Sequence, residues 1–245
     1  MGVLSLLLID LHALIASLPQ PTGEPTELPP PALLKLATVI QPAILMTLAV
    51  AIGIWLAPKV GLYSPAAEAA ANSDPILPKL RPQVVPGVLA GIVTGIGIIL
   101  AWLVAKPFFT DEFISKAEGF NQLMPFVVRI FYGGITEEIL LRWGFMTFLV
   151  WFAWLVLQKG QGTPKRLFVI AAILISALLF GAGHLPVASL LAGGLTLPIV
   201  FYVLAANSLF GIAAGFLYWK RGLESAMIAH MFAHVVLVIA INSGL

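Results

Sequence analysis

Four charged residues stand inside one apolar stretch: Arg129, Glu137, Glu138 and Arg142. Nearly all the rest of the 13 Lys/Arg and 11 Asp/Glu fall in loops or near helix ends. A charged side chain at the centre of a membrane helix costs roughly 2.5–3.5 kcal/mol. Four together therefore mark a functional site by default. Glu138 and Arg142 are four residues apart, in the order that favours an ion pair along a helix. Glu137 is turned ~100° from Glu138 at 3.6 residues per turn. Its carboxylate is left free for chemistry while Arg142 neutralises and orients Glu138. Of the four histidines, His184, His230 and His234 lie in apolar helices or at their ends. His230 and His234 share one helix face, a geometry for a common water, metal ion or oxyanion. A structural ion-pair cluster with hydrogen-bonded core histidines is the bland alternative, weakened by three histidines accompanying buried carboxylates.

Elimination narrows the chemistry. The chain has no cysteine, which removes disulfides, thiolate ligands and cysteine nucleophiles. Met231 follows His230, so there is no H-E-x-x-H, and no serine sits in G-x-S-x-G. Asp10, Asp74 and Asp111 are the only aspartates and none is centred in a confident span, which excludes an intramembrane aspartate pair. Glutamate and histidine remain, contributed by three helices.

Those helices have to lie in a membrane. The 245 residues are 60% hydrophobic and 10% charged, with a mean hydropathy of +1.02. Soluble domains run near 45–50% apolar and about 25% charged. Apolar runs of about 20 residues, the length that crosses ~30 Å of hydrocarbon, recur along the chain. No segment shows the sustained alternation of a barrel strand. The expected fold is an all-α polytopic bundle of six to eight spans. A net charge of +2, scattered singly through loops, gives no nucleic-acid surface.

Residues 1–18 place Leu4, Leu7, Leu8, Leu11, Leu14, Ile15 and Leu18 at helical spacing and predict an interfacial amphipathic helix. Asp10, His12 and the missing basic start argue against a cleaved signal peptide. Pro19 to Pro31 reads as a stiff proline-rich linker. Spans are expected over Leu33–Ala57 and Val84–Ala105, separated by a loop punctuated by Pro65, Pro75, Pro78 and Pro82. Residues 106–123 read as solvated. The stretch from Pro125 to Leu157 exceeds a bilayer, so it tilts, protrudes or breaks near Gly133-Gly134. A helix from Leu167 stops near His184, before Pro186. Residues 187–219 form one broken helix or two short ones, and the last helix runs from Leu223 to Ile241. The loops 58–83 and 159–166 hold six Lys/Arg and are expected on the cytoplasmic side. Three regions result: 1–32, an amphipathic segment and linker; 33–119, the first membrane helices; and 120–245, the part that holds the chemistry.

The same residues carry a family resemblance. Glu137-Glu138-Ile139-Leu140-Leu141-Arg142 resembles the E-E-x-x-x-R motif of the type II CAAX prenyl protease and bacteriocin-processing (CPBP) intramembrane proteases. Phe180-Gly181-Ala182-Gly183-His184 is similar to that family's F-x-x-x-H. His230-Met231-Phe232-Ala233-His234 takes the place of its H-x-x-x-N, with His where the family often has Asn. The resemblance covers roughly residues 120–245 and implies a cavity between the helices and endopeptidase activity near the membrane surface. It implies Glu137 as general base, His184 as its partner on the water, Glu138 and Arg142 as the supporting pair, and His230 with position 234 as oxyanion donors. An imidazole donates a hydrogen bond as an amide does, but a third histidine also makes zinc conceivable, held by Glu137, His184, His230 and His234.

The expectation is thus an integral, multi-pass endopeptidase of the plasma membrane of a prokaryote. Its catalytic type is glutamate or metallo, with no required cofactor in the favoured form and zinc in the other. Its partners are the bilayer and a protein or peptide substrate, lipid-anchored or prenylated in one form. The competing classes are a proton-coupled transporter using the Glu/His cluster as a relay and a catalytically idle adaptor or immunity protein. The absence of paired, broken-helix halves disfavours the transporter.

Overall fold

A computed structural model describes residues 1–17 and 30–244, so most of the expected proline linker lies outside the described residues. The described residues are helical throughout: α1 Gly2–Ser5, α2 Leu11–Ser17, α3 Pro31–Val60, α4 Pro65–Ala71, α5 Ile76–Ala105, α6 Asp111–Leu123, α7 Phe126–Gln158, α8 Arg166–Gly183, α9 Leu185–Ala192, α10 Leu197–Arg221 and α11 Leu223–Asn242. Six segments among them are long and apolar enough to cross a membrane, with α8 and α9 forming one of the six. Their outward faces carry large exposed apolar side chains, Leu48, Val93, Leu157, Leu178 and Phe201 among them. That is the surface a bilayer covers. Crossing six times puts the loops 61–75 and 159–165 on the same side, with Lys220 and Arg221 at the same end.

Several boundaries differ from the sequence reading, each for a physical reason. The N-terminal segment is two short helices. The chain turns extended at Ile9, and Asp10 caps α2 by accepting from the amides of His12 (3.1 Å) and Ala13 (3.0 Å). Gly2, Val3 and Ser5 are the buried residues of α1, while Leu4 and Leu8 face outward. The second span begins at Ile76 rather than Val84. Pro75 and Pro78 occupy its start, where no amide is needed, and Pro82 and Pro86 are carried inside the helix. Residues 111–123 form an amphipathic helix. Thr110 Oγ1 accepts from the amide of Phe113 (3.2 Å), Asp111 and Glu112 fill the first turn, and Phe113 and Ala117 turn inward. On its exposed face the Lys116 ammonium beside Glu112 holds that carboxyl below the usual range. The apolar stretch 187–219 divides at Gly193 (φ +67°) and Gly194 (φ +145°), backbone that glycine adopts readily.

α7 does not break at Gly133-Gly134. It widens into π-helix over Arg129–Glu137 and Ile139–Met146 before closing into α-helix at Thr147. π-helical turns are rare and concentrate at functional sites; Arg129, Glu137 and Arg142 lie in these two stretches and Glu138 at their junction.

α11, which carries two of the histidines, lies most intimately against α5. Gly87, Gly91 and Gly95 present a groove four residues in period. A Cβ at Gly91 would lie 2.4 Å from the carbonyl oxygen of Ala229, and one at Gly87 2.8 Å from that of Ser225. Polar ties fix the start of α11. The Ser225 amide donates to Gln83 Oε1 (3.0 Å) and its hydroxyl to the Gln83 carbonyl (3.2 Å). Glu224 accepts from Ser64 Oγ (2.7 Å) and from the amides of Ala66 (2.8 Å) and Ala67 (3.1 Å) at the start of α4. Gly91→Ala should push α11 off α5, because the obstacle is backbone and cannot rotate away. The expected loss is about 1–3 kcal/mol, read as a lower thermal midpoint in detergent, with activity falling as His230 and His234 shift.

Candidate functional site

The two adjacent glutamates have different surroundings. Glu138 is fully buried and lies 3.2 Å from Arg142 Nε, also fully buried, in the ion pair expected from their spacing. Arg142 Nη2 donates to the carbonyl of Gly211 on α10 (3.0 Å). Its guanidinium carbon sits 5.2 Å from the ring centroid of Phe180 and 5.7 Å from that of Phe210, so two aromatic faces share the charge with Glu138. Glu137 keeps 22% of its side chain exposed, and its closest ionic neighbour is His230 Nε2 at 3.8 Å, too far for a hydrogen bond.

His230 and His184 are each oriented through Nδ1. His230 Nδ1 lies 2.8 Å from Glu138 Oε1, and a carboxylate only accepts, so Nδ1 carries a proton and Nε2 faces Glu137. His184 Nδ1 lies 2.8 Å from the Phe180 carbonyl, so it too is the protonated nitrogen and Nε2 keeps its lone pair. His184 caps α8 at its break with α9, with φ −90° and ψ −13°. Phe180 joins the two imidazoles, standing edge-on to His184 (centroids 4.9 Å) and to His230 (5.7 Å). His234 stacks on His230 with centroids 4.9 Å apart and planes at 17°, and its buried Nδ1 has no hydrogen-bond partner among the described residues.

Glu137, Glu138, Arg142, His230 and His234 thus meet in one cluster, with His184 linked to it across the Phe180 ring. No hydrogen bond or ion pair joins His184 directly to Glu137 among the described residues. A cavity of about 310 Å³ is lined by Trp102, Asn121, Tyr202 and Leu237 among others, and none of the expected site residues lines it.

Gly133 has a specific task. A Cβ there would lie 2.5 Å from His234 Nε2, so only glycine lets that imidazole rest against α7. At Gly134 a Cβ would meet Met231 Cγ at 2.5 Å, the middle of a flexible side chain. Gly181 allows close approach to Leu204, whereas Gly183 faces open space. Gly133→Ala should therefore cut turnover at least tenfold by displacing His234, and Gly134→Ala should keep most of it because Met231 can turn aside. Steady-state rates and thermal midpoints of the two variants, measured side by side, check this.

Sequence reasoning did not find the Phe180 and Phe210 faces around Arg142, the Gln83 clamp on α11, or the orientation of Arg129. Gln83 carried the one readable signal, an uncharged amide amid prolines and apolar residues. The aromatic faces look like ordinary core in one dimension.

Fold and site together define a multi-span helical membrane protein with a buried glutamate–histidine centre. Residues 119–236 match the family model described as type II CAAX prenyl endopeptidase, Rce1-like, so that segment is similar to this family. The matched segment contains Glu137, Glu138, Arg142, His184, His230 and His234. No curated protein and no solved structure matches the chain. The chain is an integral membrane protein whose residues 119–236 are similar to a protease family.

Proposed function

We propose that this protein is an intramembrane endopeptidase that hydrolyses a peptide bond near the membrane surface with a water activated by Glu137 and His184. The observation that carries the reading is the division between the two glutamates. Glu138 is sealed and engaged by Arg142 and His230, while Glu137 keeps an accessible carboxylate within the cluster. In this reading one water bridges Glu137 and the lone pair of His184 Nε2, which share no direct hydrogen bond among the described residues. Glu137 takes one proton as the oxygen attacks the carbonyl carbon, and later returns it to the leaving nitrogen as the C–N bond breaks. His230 Nδ1 donates to Glu138, and its Nε2 faces Glu137 and the reacting region. His234 Nδ1, buried and without a hydrogen-bond partner among the described residues, serves in this reading as the N–H donor to the oxyanion of the tetrahedral intermediate.

Zinc fits this arrangement poorly. Among the described residues no three His, Asp or Glu side chains converge as a metal site requires. His230 and His234 turn ring faces to each other, whereas a shared ion needs the in-plane lone pairs of both. The proposal therefore uses no metal. His234→Asn should retain substantial activity, because the amide still donates, and strong chelation should leave the wild-type rate unchanged. Stoichiometric zinc, with activity lost on chelation and restored by readdition, would overturn this.

The substrate proposed is a protein or peptide segment at the membrane, lipid-anchored or prenylated. Incubating the purified protein with synthetic peptides in ¹⁸O-water tests the reaction. Cleavage should place one ¹⁸O atom in each newly formed carboxyl group, and intact peptides would contradict the reading.

A further inference from the structure

We propose that Thr136 is a positioning residue whose hydroxyl holds α7 in the wide π register that aims it at both paired histidines; this rests on the endopeptidase reading above. The two contacts from α7 to those histidines are five residues apart on α7 and four apart on α11. His230 Nδ1 donates to Glu138 Oε1 at 2.8 Å, and a Cβ on Gly133 would lie 2.5 Å from His234 Nε2. Residues 230 and 234 share one face of an α-helix. Residues 133 and 138 would not, because five steps of about 100° leave them about 140° apart. A π turn, whose backbone bonds run five residues, stacks positions five apart and removes that difference. The widening over Arg129–Glu137 is therefore what lets one helix meet both imidazoles.

Since π turns are rare, something has to hold this one open. Thr136 Oγ1 donates to the Phe131 carbonyl (3.3 Å) and Thr147 Oγ1 to the Arg142 carbonyl (3.1 Å), each five residues back. Hydroxyls in the α-helical spans reach only three or four residues back, from Thr47 to Ala43, Thr94 to Ala90 and Ser176 to Ile173. The Arg142 carbonyl also accepts from the Thr147 amide, the five-residue bond of a π turn. Thr147 is tied besides to Tyr218 Oη (2.8 Å) in the core. Thr136 is fully buried, and α1 closes over its bond. A Cβ on Gly2 would collide with Thr136 Oγ1 and lie 2.6 Å from the Phe131 carbonyl oxygen. Water and lipid are thus kept away from the hydroxyl. Glu137 follows Thr136 directly, so the same bond fixes the turn that carries the base.

The test uses the full chain in phosphatidylcholine proteoliposomes, with a synthetic peptide substrate and ¹⁵N-labelled histidine. Thr136→Val removes the hydroxyl and keeps the branched shape, while Thr136→Ser keeps the hydroxyl. The Val variant should lose about ten- to a hundredfold in kcat, the cost of an ångström-scale misplacement, with KM little changed. Its thermal midpoint should fall by no more than about 2–4 °C, the worth of one hydrogen bond. The ring ¹⁵N signals of His230 and His234 should move in Thr136→Val. Thr136→Ser should return them to their wild-type positions and restore most of kcat. Thr94→Val, which deletes a hydroxyl bond of four-residue span in α5, should match the wild-type rate. Full kcat in Thr136→Val, or equally low rates in the Val and Ser variants, sinks the inference and leaves the endopeptidase reading intact. Unmoved histidine signals, or an equal loss in Thr94→Val, overturn it as well. No cleavage by wild type defeats the endopeptidase reading, and the histidine signals still decide whether Thr136 sets the register.

Discussion

Glu137→Gln abolishes peptide cleavage and leaves the protein folded. The amide keeps the shape of the side chain and loses the base, so the rate should fall about 10²–10⁴-fold, into background. Stability should change little, because Glu137 is partly exposed and makes no hydrogen bond shorter than the 3.8 Å approach to His230. Turnover in detergent and the thermal midpoint, measured on the same preparation, check both halves. Full activity in this variant would remove Glu137 from the mechanism.

Arg142→Ala produces the largest structural loss. It strands Glu138 in a fully buried position with only His230 to offset its charge, and it empties the space between Phe180 and Phe210. Breaking such a pair from one side costs about 3–5 kcal/mol, enough to lower yield and thermal midpoint together. Activity falls as well, since Glu138 orients His230. Glu138→Gln acts from the other side, leaving Arg142 with the Gly211 carbonyl and two aromatic faces. Arg142→Lys keeps the charge but cannot reach Glu138 and Gly211 at once with a planar fork, so it should restore only part of the stability. A thermal midpoint within error of wild type for Arg142→Ala would show that the pair supports neither fold nor site.

The contrast between Glu137 and Glu138 was legible in one dimension because residues four apart share a helix face. The ion pair to Arg142 survives the widening of α7 into π-helix, since four-residue neighbours remain adjacent in the wider turn. The stacked pair His230 and His234 was legible for the same reason. Arg129 could be noticed as an expensive charge, but its lack of a carboxylate depends on α6, whose Glu112 and Glu118 are paired elsewhere. Hydropathy also misplaced the start of α5. It treats Pro78 and Pro82 as loop punctuation, whereas the helix accommodates them beside Lys79 and Arg81, near its end. The groove of Gly87, Gly91 and Gly95 gave no chemical signal, because its meaning lies in the backbone of α11 against it. Glycine widening a turn and glycine breaking a helix look alike in sequence. Gly133-Gly134 proves continuous and Gly193-Gly194 is a true break, its positive φ values set by the return into α10.

Hydrolysis by the Glu137 centre, rather than proton relay through it, is the central claim. Proteoliposomes that enclose a pH-sensitive dye and carry a peptide substrate read both outcomes in one sample. Wild type should cleave the peptide with no Glu137-dependent proton flux, and Glu137→Gln should cleave nothing. Proton flux that disappears in Glu137→Gln, with the peptide left intact by wild type, would contradict the account.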